Sequence, residues 1–384
     1  PIMKKRISNP FVTGGYLGPE YFCDRVEETE KLLKAISSKR NITLISLRRM
    51  GKTGLLKHVK HILESGSEGN KRAVIYVDLL PGRNANDMLN SISTALLNRR
   101  NKEKNLTEKI LSLLGSLRPR LSYDSLTGQP VLEVKTESAS DIQFGIEHIM
   151  KYISEIRQDL VLMLDEFQQI SRYPEENIEQ LLRTVLQSYP SVPCIFSGSS
   201  KHMLERMFSD AARPFYQSAE LLYLDTINEA VYREFIISTL MKSGIKTDDE
   251  VLSRLFRWTR LHTYYVQYVC NLLYESGSDY IDDSLLSSVF ERILTSFEPL
   301  YDNYRSLLPS HQYRLLQAIA VEDNVTKLNS GDFIRKYKLT GASSVTTSVK
   351  ALSEKGMIVK YRDGYILDDV FFSRWLQYHY LKGH

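Results

Sequence analysis

Apolar positions in the first 225 residues gather into five short runs with little alternation: "ITLISL" (42–47), "AVIYVDL" (73–79), "LVLMLD" (160–165), "CIFSG" (194–198) and "LLYLD" (221–225). Strands without a polar face are those buried on both sides, as in parallel sheets covered by helices. The intervening segments supply the helices. After Thr53, residues Leu55, Leu56, Val59, Ile62 and Leu63 recur at helical spacing, which predicts a helix that begins at Gly51-Lys52-Thr53. A second is predicted from Pro174, with Ile178, Leu181, Leu182, Val185 and Leu186 on one face. The alternation predicts an α/β domain with a largely parallel sheet over 1–225. Residues 101–145 break the rhythm. There "LSYDSLTGQPVLEVKT" reads as a β-hairpin on a Thr-Gly turn, inserted near 118–136 rather than built into the sheet.

Past Asp225 the strand signals fade, and 226–296 reads as helices, among them "EAVYREFIISTLMKS" and "TYYVQYVCNLLYES". From 297 to 384 the pattern changes again. "HQYRLLQAIA", "GDFIRKYKL" and "ASSVTTSVKALSEKGMI" predict three helices, and "IVKYRDGYILDD" predicts two strands about an Asp-Gly turn, the order of a winged helix.

Composition narrows the class without fixing a function. The 384 residues, 42% hydrophobic and 25% charged, suit two or three globular units. No run of about 18 uncharged apolar residues occurs, and the basic start "PIMKKRISNP" leads into no apolar stretch, so a cytoplasmic protein with no membrane partner is expected. Cys23, Cys194 and Cys270 are odd in number and far apart, which suits reduced thiols. A net charge of +4 permits a nucleic-acid partner without requiring one.

The predicted strand, the loop "SLRRMGKTG" and the predicted helix form the arrangement in which successive backbone N–H groups surround phosphates. Chance alone would place a G-K-[ST] tripeptide in such a chain ~0.2 times, so the flanking elements, not the tripeptide, carry the reading. Ser46, Arg48, Arg49, Met50, Gly51, Lys52, Thr53 and Gly54 are the candidate phosphate-binding residues, with Lys52 reaching the β- and γ-phosphates and Thr53 ligating Mg²⁺. Ser46 stands where the pattern has its first glycine, which a serine tolerates only at an ordinary φ/ψ. In "DLVLMLDEFQQI" an apolar strand runs into Asp165, a candidate Mg²⁺ ligand, and Glu166, a candidate to orient the attacking water. "VPCIFSGSSKHML" ends a third run in hydroxyls, where Ser199 or Ser200 either contacts the γ-phosphate or the water, or simply caps a helix.

These motifs resemble the archaeal-type P-loop ATPases of the STAND/AAA+ group, relatives of the origin-recognition initiators. The resemblance spans nearly the whole chain. It rests on "FCDRVEETEKL" (22–32), similar to the family's F-x-x-R-x-x-E segment, on "LRRMGKT", on "LMLDEFQ" and on "FSGSSKHML". It implies an ATP-binding core with strand order 5-1-4-3-2, a helical lid at 226–296 and a C-terminal winged helix. It also implies that the segment from Phe22 to Arg25 packs beside the adenine; structurally, Phe22 is equally a core residue and Arg25 a surface ion-pair partner. The chain departs from the family in "RPFYQSAELL", where Gln217 and Ser218 follow Tyr216 in place of Gly-Arg, leaving Arg213 as a substitute charge. In "LHTYYVQ", Leu261 and Thr263 replace a Gly and a Pro. Arg48 and Arg49 either supply charge at the γ-phosphate or brace the loop against acidic neighbours such as Asp24.

A missing arginine finger costs about 10³ to 10⁵ in rate, so the expected activity is slow Mg-dependent ATP hydrolysis, suited to a switch coupled to the winged helix. The presumed recognition helix offers Ser343, Ser344, Thr346, Thr347 and Lys350 to duplex DNA. From 297 onward, twelve Lys or Arg face nine Asp or Glu, a margin of three, which leaves DNA and a protein partner both open. Two alternatives stand beside the switch: a DNA-binding regulator with a structural or ADP-locked nucleotide, and a P-loop scaffold for protein partners.

Overall fold

In the computed structural model the described residues are 9–66, 72–99, 105–156 and 160–382. Residues 1–8, which carry most of the basic start, lie outside them. The chain divides into two compact units, one over Gly15–Asp225 and one from Thr226 onward that also takes residues 9–14.

The first unit holds a five-stranded parallel sheet of β1 (Ile42–Ile45), β2 (Ala73–Asp78), β3 (Leu160–Asp165), β4 (Cys194–Gly198) and β5 (Glu220–Tyr223). Its order, 5-1-4-3-2, is the expected one. Leu44, Val74, Val161, Met163 and Ile195 meet Leu55, Leu56 and Val59 of the helix Lys52–Ser65 on one face. Ile75, Val77, Leu162, Leu164 and Phe196 face the helices Ala85–Leu97, Ala139–Glu155, Ile178–Ser188 and Lys201–Ser209 on the other. Burial on both faces explains why these strands carry no polar alternation. Each buried Leu, Ile or Phe contributes about 1.5–3 kcal/mol.

Two local expectations need correction, and a third gains detail. β1 ends at Ile45, not Leu47, because Ser46 and Leu47 already belong to the loop and bond to its lysine. The helix expected from Pro174 begins at Ile178, after a 3₁₀ segment Phe167–Arg172 and a left-handed Asn177 (φ 62°). The hairpin, Arg120–Tyr123 paired antiparallel with Pro130–Glu133, lies outside the five-stranded sheet as expected, yet Leu132 and Val134 are buried. Its inner strand bonds to Asn90, Thr94 and Asn98 on and just after the helix Ala85–Leu97.

The second unit contains the helices Glu229–Lys242, Asp249–Thr259, Thr263–Glu275 and Asp283–Leu307. The last of these is continuous through residue 297, where a domain boundary was expected. Residues 9–14 had been expected with the core; instead Phe11 is buried in this unit, the Asn9 side chain donates to Asn271 O, and the Asn271 side chain donates to Phe11 O. Two parallel strands of two residues, Lys246–Thr247 and Tyr280–Ile281, were not anticipated, being too short to show a period.

The helices Ser310–Glu322, Gly331–Lys336 and Ala342–Glu354 and the antiparallel strands Ile358–Tyr361 and Gly364–Leu367 form the winged helix, followed by a helix Val370–Lys382. The wing turn is Arg362-Asp363 rather than Asp-Gly. Gly364 serves a close approach instead: a Cβ there would lie 1.9 Å from Asn324 Oδ1. Helices of this unit are tied through Asp323, which accepts from Arg260 Nε and Nη2 at 3.0 and 2.7 Å and from Arg374 Nη1 at 3.0 Å, while Arg260 Nη1 reaches the wing at Leu367 O, 3.1 Å away.

Candidate functional site: a phosphate loop and its acidic strand

The loop Ser46–Gly51 leaves β1 and enters the helix Lys52–Ser65 at Gly51, whose φ of 94° suits glycine. No side chain caps this helix, so its first N–H groups stay available for an anion. Arg49 takes φ 59°, an uncommon conformation for a residue with a Cβ. Ser46 is not among the positive-φ residues, which meets the condition for a serine at the first-glycine position. Its buried hydroxyl donates to Leu47 O at 2.8 Å and accepts from Lys52 Nζ at 2.9 Å, while Nζ also donates to Leu47 O at 2.9 Å. The serine therefore helps to solvate a buried ammonium.

Met50 anchors the loop in the core, whereas Arg48, Arg49 and Thr53 are exposed and Gly54 is half-buried. Arg25 braces the loop from outside it. It is 4% exposed, at φ 65°, and donates to Glu28 Oε1 at 3.0 Å and to Met50 O at 3.3 Å, so it is a buried pair and not a surface one. Phe22 stacks on His58 with ring centroids 4.3 Å apart, and the Tyr16 hydroxyl meets His58 Nδ1 at 2.9 Å. Burial, helped by His61, pushes the His58 pKa down, favouring a neutral ring in this stack. A Cβ on Gly54 would sit 3.6 Å from Phe22, which places Phe22 beside the first turn of the loop's helix.

Asp165 ends β3 opposite Asp78 and is 2% exposed. Its carboxylate is ringed by donors. Oδ2 accepts from Thr53 Oγ1 and from the Tyr76 hydroxyl, each at 2.8 Å. Oδ1 accepts from Ser197 Oγ and from the Glu166 N–H. Burial first, and then the charge and hydrogen bond of Asp165, push the Tyr76 phenol well above its ordinary range, so it stays a donor. The next residue, Glu166, takes φ 54° and accepts at Oε2 from Gln168 Nε2 (2.6 Å), Ser199 Oγ (2.7 Å) and Ser199 N (3.3 Å). Thr53, Asp165, Glu166 and Ser199, separated by up to 146 positions in sequence, are thus linked by hydrogen bonds through neighbouring β-strand ends.

An ATPase domain family, described as predominantly from Archaea, matches residues 22–277, a span that includes the loop, the acidic strand and Ser199. The chain belongs to this family. A second family, described as a probable winged helix domain, matches residues 299–378. Among solved structures, a Walker-type ATPase of Pyrococcus abyssi is 16% identical, with a TM-score of 0.65 over 96% of this chain and 99% of that one. The ORC2 protein of Aeropyrum pernix, solved as ADPNP–ADP complexes, is 14% identical, with a TM-score of 0.57 over 98% and 99%. No curated protein matches the chain. The family match makes this an archaeal-type ATPase domain, and the two solved structures share its fold.

Within this archaeal-type ATPase the hydroxyl of Thr53 and the carboxylate of Asp165 form an all-oxygen pair of the kind Mg²⁺ takes alongside substrate phosphates. The helix N-terminus left open before Lys52 fits the phosphates themselves. Arg213, the substitute expected for the missing arginine, forms an ion pair with Glu179 on the helix Ile178–Ser188. Ser200 precedes the helix Lys201–Ser209 without capping it. Leu261 and Thr263 belong to the second unit, where Arg260 and Leu261 both take positive φ.

On the helix Ala342–Glu354 the side chains of Ser343, Thr346, Thr347 and Lys350 are exposed, Ser344 is half-buried, and Val345 and Leu352 face inward. Tyr76, Ser197, Gln168 and His58 were not anticipated. A tyrosine inside "AVIYVDL" and a serine inside "CIFSG" were the available signals, each a polar tip in an otherwise apolar run. Among the described residues no helix is long and apolar enough to cross a membrane, and no group of three or more His, Cys, Asp or Glu could hold a metal.

Proposed function

We propose that the protein binds Mg·ATP at the loop Ser46–Gly54 and hydrolyses it slowly to ADP and phosphate in the cytoplasm, as a switch whose winged helix reports to a partner. The observation that carries this reading is the linked set Thr53, Asp165, Glu166 and Ser199 beside an uncapped helix N-terminus. The ORC2 protein, solved as ADPNP–ADP complexes, puts nucleotides on a similar fold. Three buried free cysteines agree with a reducing compartment.

Lys52, now bonded to Ser46 and Leu47, exchanges these acceptors for the β- and γ-phosphate oxygens. The nucleotide's adenine lies by Phe22 and Arg25. Thr53 and Asp165 would hold Mg²⁺, which when bound would supply positive charge to the phosphates. Glu166 orients a water and takes its proton as the water oxygen bonds to the γ-phosphorus and the bond to the β–γ bridging oxygen breaks. Ser199 fixes Glu166 for that task. Arg213, the substitute for the missing arginine, is engaged by Glu179, which agrees with slow turnover.

Purified protein should bind ATP with Mg²⁺ and release phosphate, Lys52→Ala should abolish binding, and Glu166→Gln should retain binding while losing turnover. Binding without any hydrolysis, unchanged by Glu166→Gln, would remove the enzymatic half of the proposal. The exposed hydroxyl face with Lys350 and Arg362 fits phosphates of duplex DNA better than an apolar partner. A salt-dependent affinity for duplex DNA lost in Lys350→Ala and Arg362→Ala supports that partner; an affinity for DNA absent at low salt leaves a protein partner.

A further inference from the structure

A carboxylate offers about four lone-pair positions, and all four on Asp165 are taken. Ser197, which is fully buried, and the backbone N–H of Glu166 hold Oδ1, and Thr53 and Tyr76 hold Oδ2. A Mg²⁺ ion reaching Asp165 needs one of those positions, whether it binds the oxygen directly or through a coordinated water that donates to it. The donors differ in how readily they leave. The Glu166 N–H is main chain and Ser197 is enclosed. Thr53 can offer its oxygen to the metal while its O–H continues to point at Asp165. Tyr76 is only half-buried and has no lone pair committed to the metal in the proposed site. It also packs against the sheet face that carries the Lys52–Ser65 helix, so it meets Oδ2 on the Thr53 side of the sheet.

We infer that Tyr76 is a positioning residue for the metal: its hydroxyl occupies the Asp165 lone pair that Mg²⁺ or its water takes, and metal binding displaces it. In the metal-free protein the phenol keeps a buried carboxylate satisfied and holds it at the strand end. The cost of releasing it raises the Mg²⁺ concentration at which the site fills, which makes Tyr76 a latch on metal entry. This rests on the nucleotide site proposed above.

The test uses the full chain with saturating ADP and follows Mn²⁺ uptake by electron paramagnetic resonance in wild type, Tyr76→Phe and Ser197→Ala, with thermal melts to confirm folding. Wild type should take up Mn²⁺ in an ADP- and Lys52-dependent manner. Tyr76→Phe should fill at about tenfold lower Mn²⁺, the scale of one hydrogen bond to a charged group. Ser197→Ala removes a donor from the other oxygen and should not lower the midpoint. An unchanged or higher midpoint in Tyr76→Phe overturns the latch, as does an equal drop in Ser197→Ala, which would reflect only a less neutralised carboxylate. If wild type takes up no Mn²⁺ with ADP, the nucleotide site itself fails, and the latch with it.

Discussion

The Ser199 hydroxyl donates to Glu166 Oε2 at 2.7 Å, and the Ser199 N–H reaches the same oxygen at 3.3 Å. With Gln168 Nε2 at 2.6 Å, three donors converge on one carboxylate oxygen of a residue whose backbone is already in the left-handed region. Uncommon backbone conformations held by surrounding bonds cluster at functional sites, because the surroundings fix a geometry the chain alone would not keep. Ser199→Ala should therefore lower kcat about tenfold and leave KM within about twofold, since orientation of the general base acts on the chemical step rather than on binding. Steady-state phosphate release measures both constants. A rise in kcat would instead make the Ser199 bond a brake on Glu166.

Gly198 has a stricter requirement than its neighbours. A Cβ there would lie 1.8 Å from Gln168 Oε1 and 2.9 Å from Leu204 Cδ1. Gln168 is 5% exposed and must shift, which removes its bond to Glu166. Gly198→Ala should cost about 1–3 kcal/mol of stability by overpacking and should also slow turnover. Gln168→Ala in the same background should recover part of the stability without recovering the rate. Chemical denaturation and phosphate release separate the two effects.

The sheet was legible because five apolar runs and their connecting helices obey one packing rule, with both faces covered; its strand order came only from the family resemblance. The places of Lys52 and Thr53 at a helix start and of Asp165 and Glu166 at a strand end were legible, because an apolar run or a helical repeat begins or stops beside each. Tyr76 and Ser197 were not, since contact with Asp165 depends on which strands are neighbours: β2 and β4 flank β3 only once the sheet is assembled. Asn9 and Phe11 went to the wrong unit for a similar reason. Their partners, Asn271 and Tyr274, lie about 260 residues away, beyond the reach of any local pattern.

Ser46 offers a test of how the loop tolerates the missing glycine. Ser46→Ala removes one acceptor from the buried Lys52 ammonium and leaves Leu47 O as a remaining acceptor. The nucleotide-free protein should lose about 1–2 kcal/mol, because a hydrogen bond to a charged group is lost in a buried place. Phosphate oxygens would replace that acceptor, so saturating Mg·ATP should raise the melting temperature more in the variant than in wild type. Scanning calorimetry with and without nucleotide gives the difference; equal shifts would mean that Lys52 does not exchange Ser46 for phosphate.

Asp323 couples the helix ending at Arg260 to the winged helix through two guanidinium groups that are 14% and 11% exposed, while its own side chain is 46% exposed. Burial alone would raise its pKa, but Arg260 and Arg374 outweigh burial and hold the carboxyl below its ordinary value. A carboxyl with a lowered folded pKa stabilises above the unfolded value, and the contribution is lost as the pH falls through the folded one. Asp323→Asn removes the charge while keeping a side chain that tolerates the φ of 63° at this position. At pH 7 the variant should be about 1–3 kcal/mol less stable, between the limits for exposed and buried pairs, since half the carboxylate meets solvent. The gap should begin to narrow below about pH 4, where the unfolded carboxyl takes up its proton, and should close only as the pH falls through the lower folded value. Melting temperatures of both proteins from pH 3 to pH 8 would show it, and a gap independent of pH would assign the stabilisation to hydrogen bonds that asparagine cannot replace.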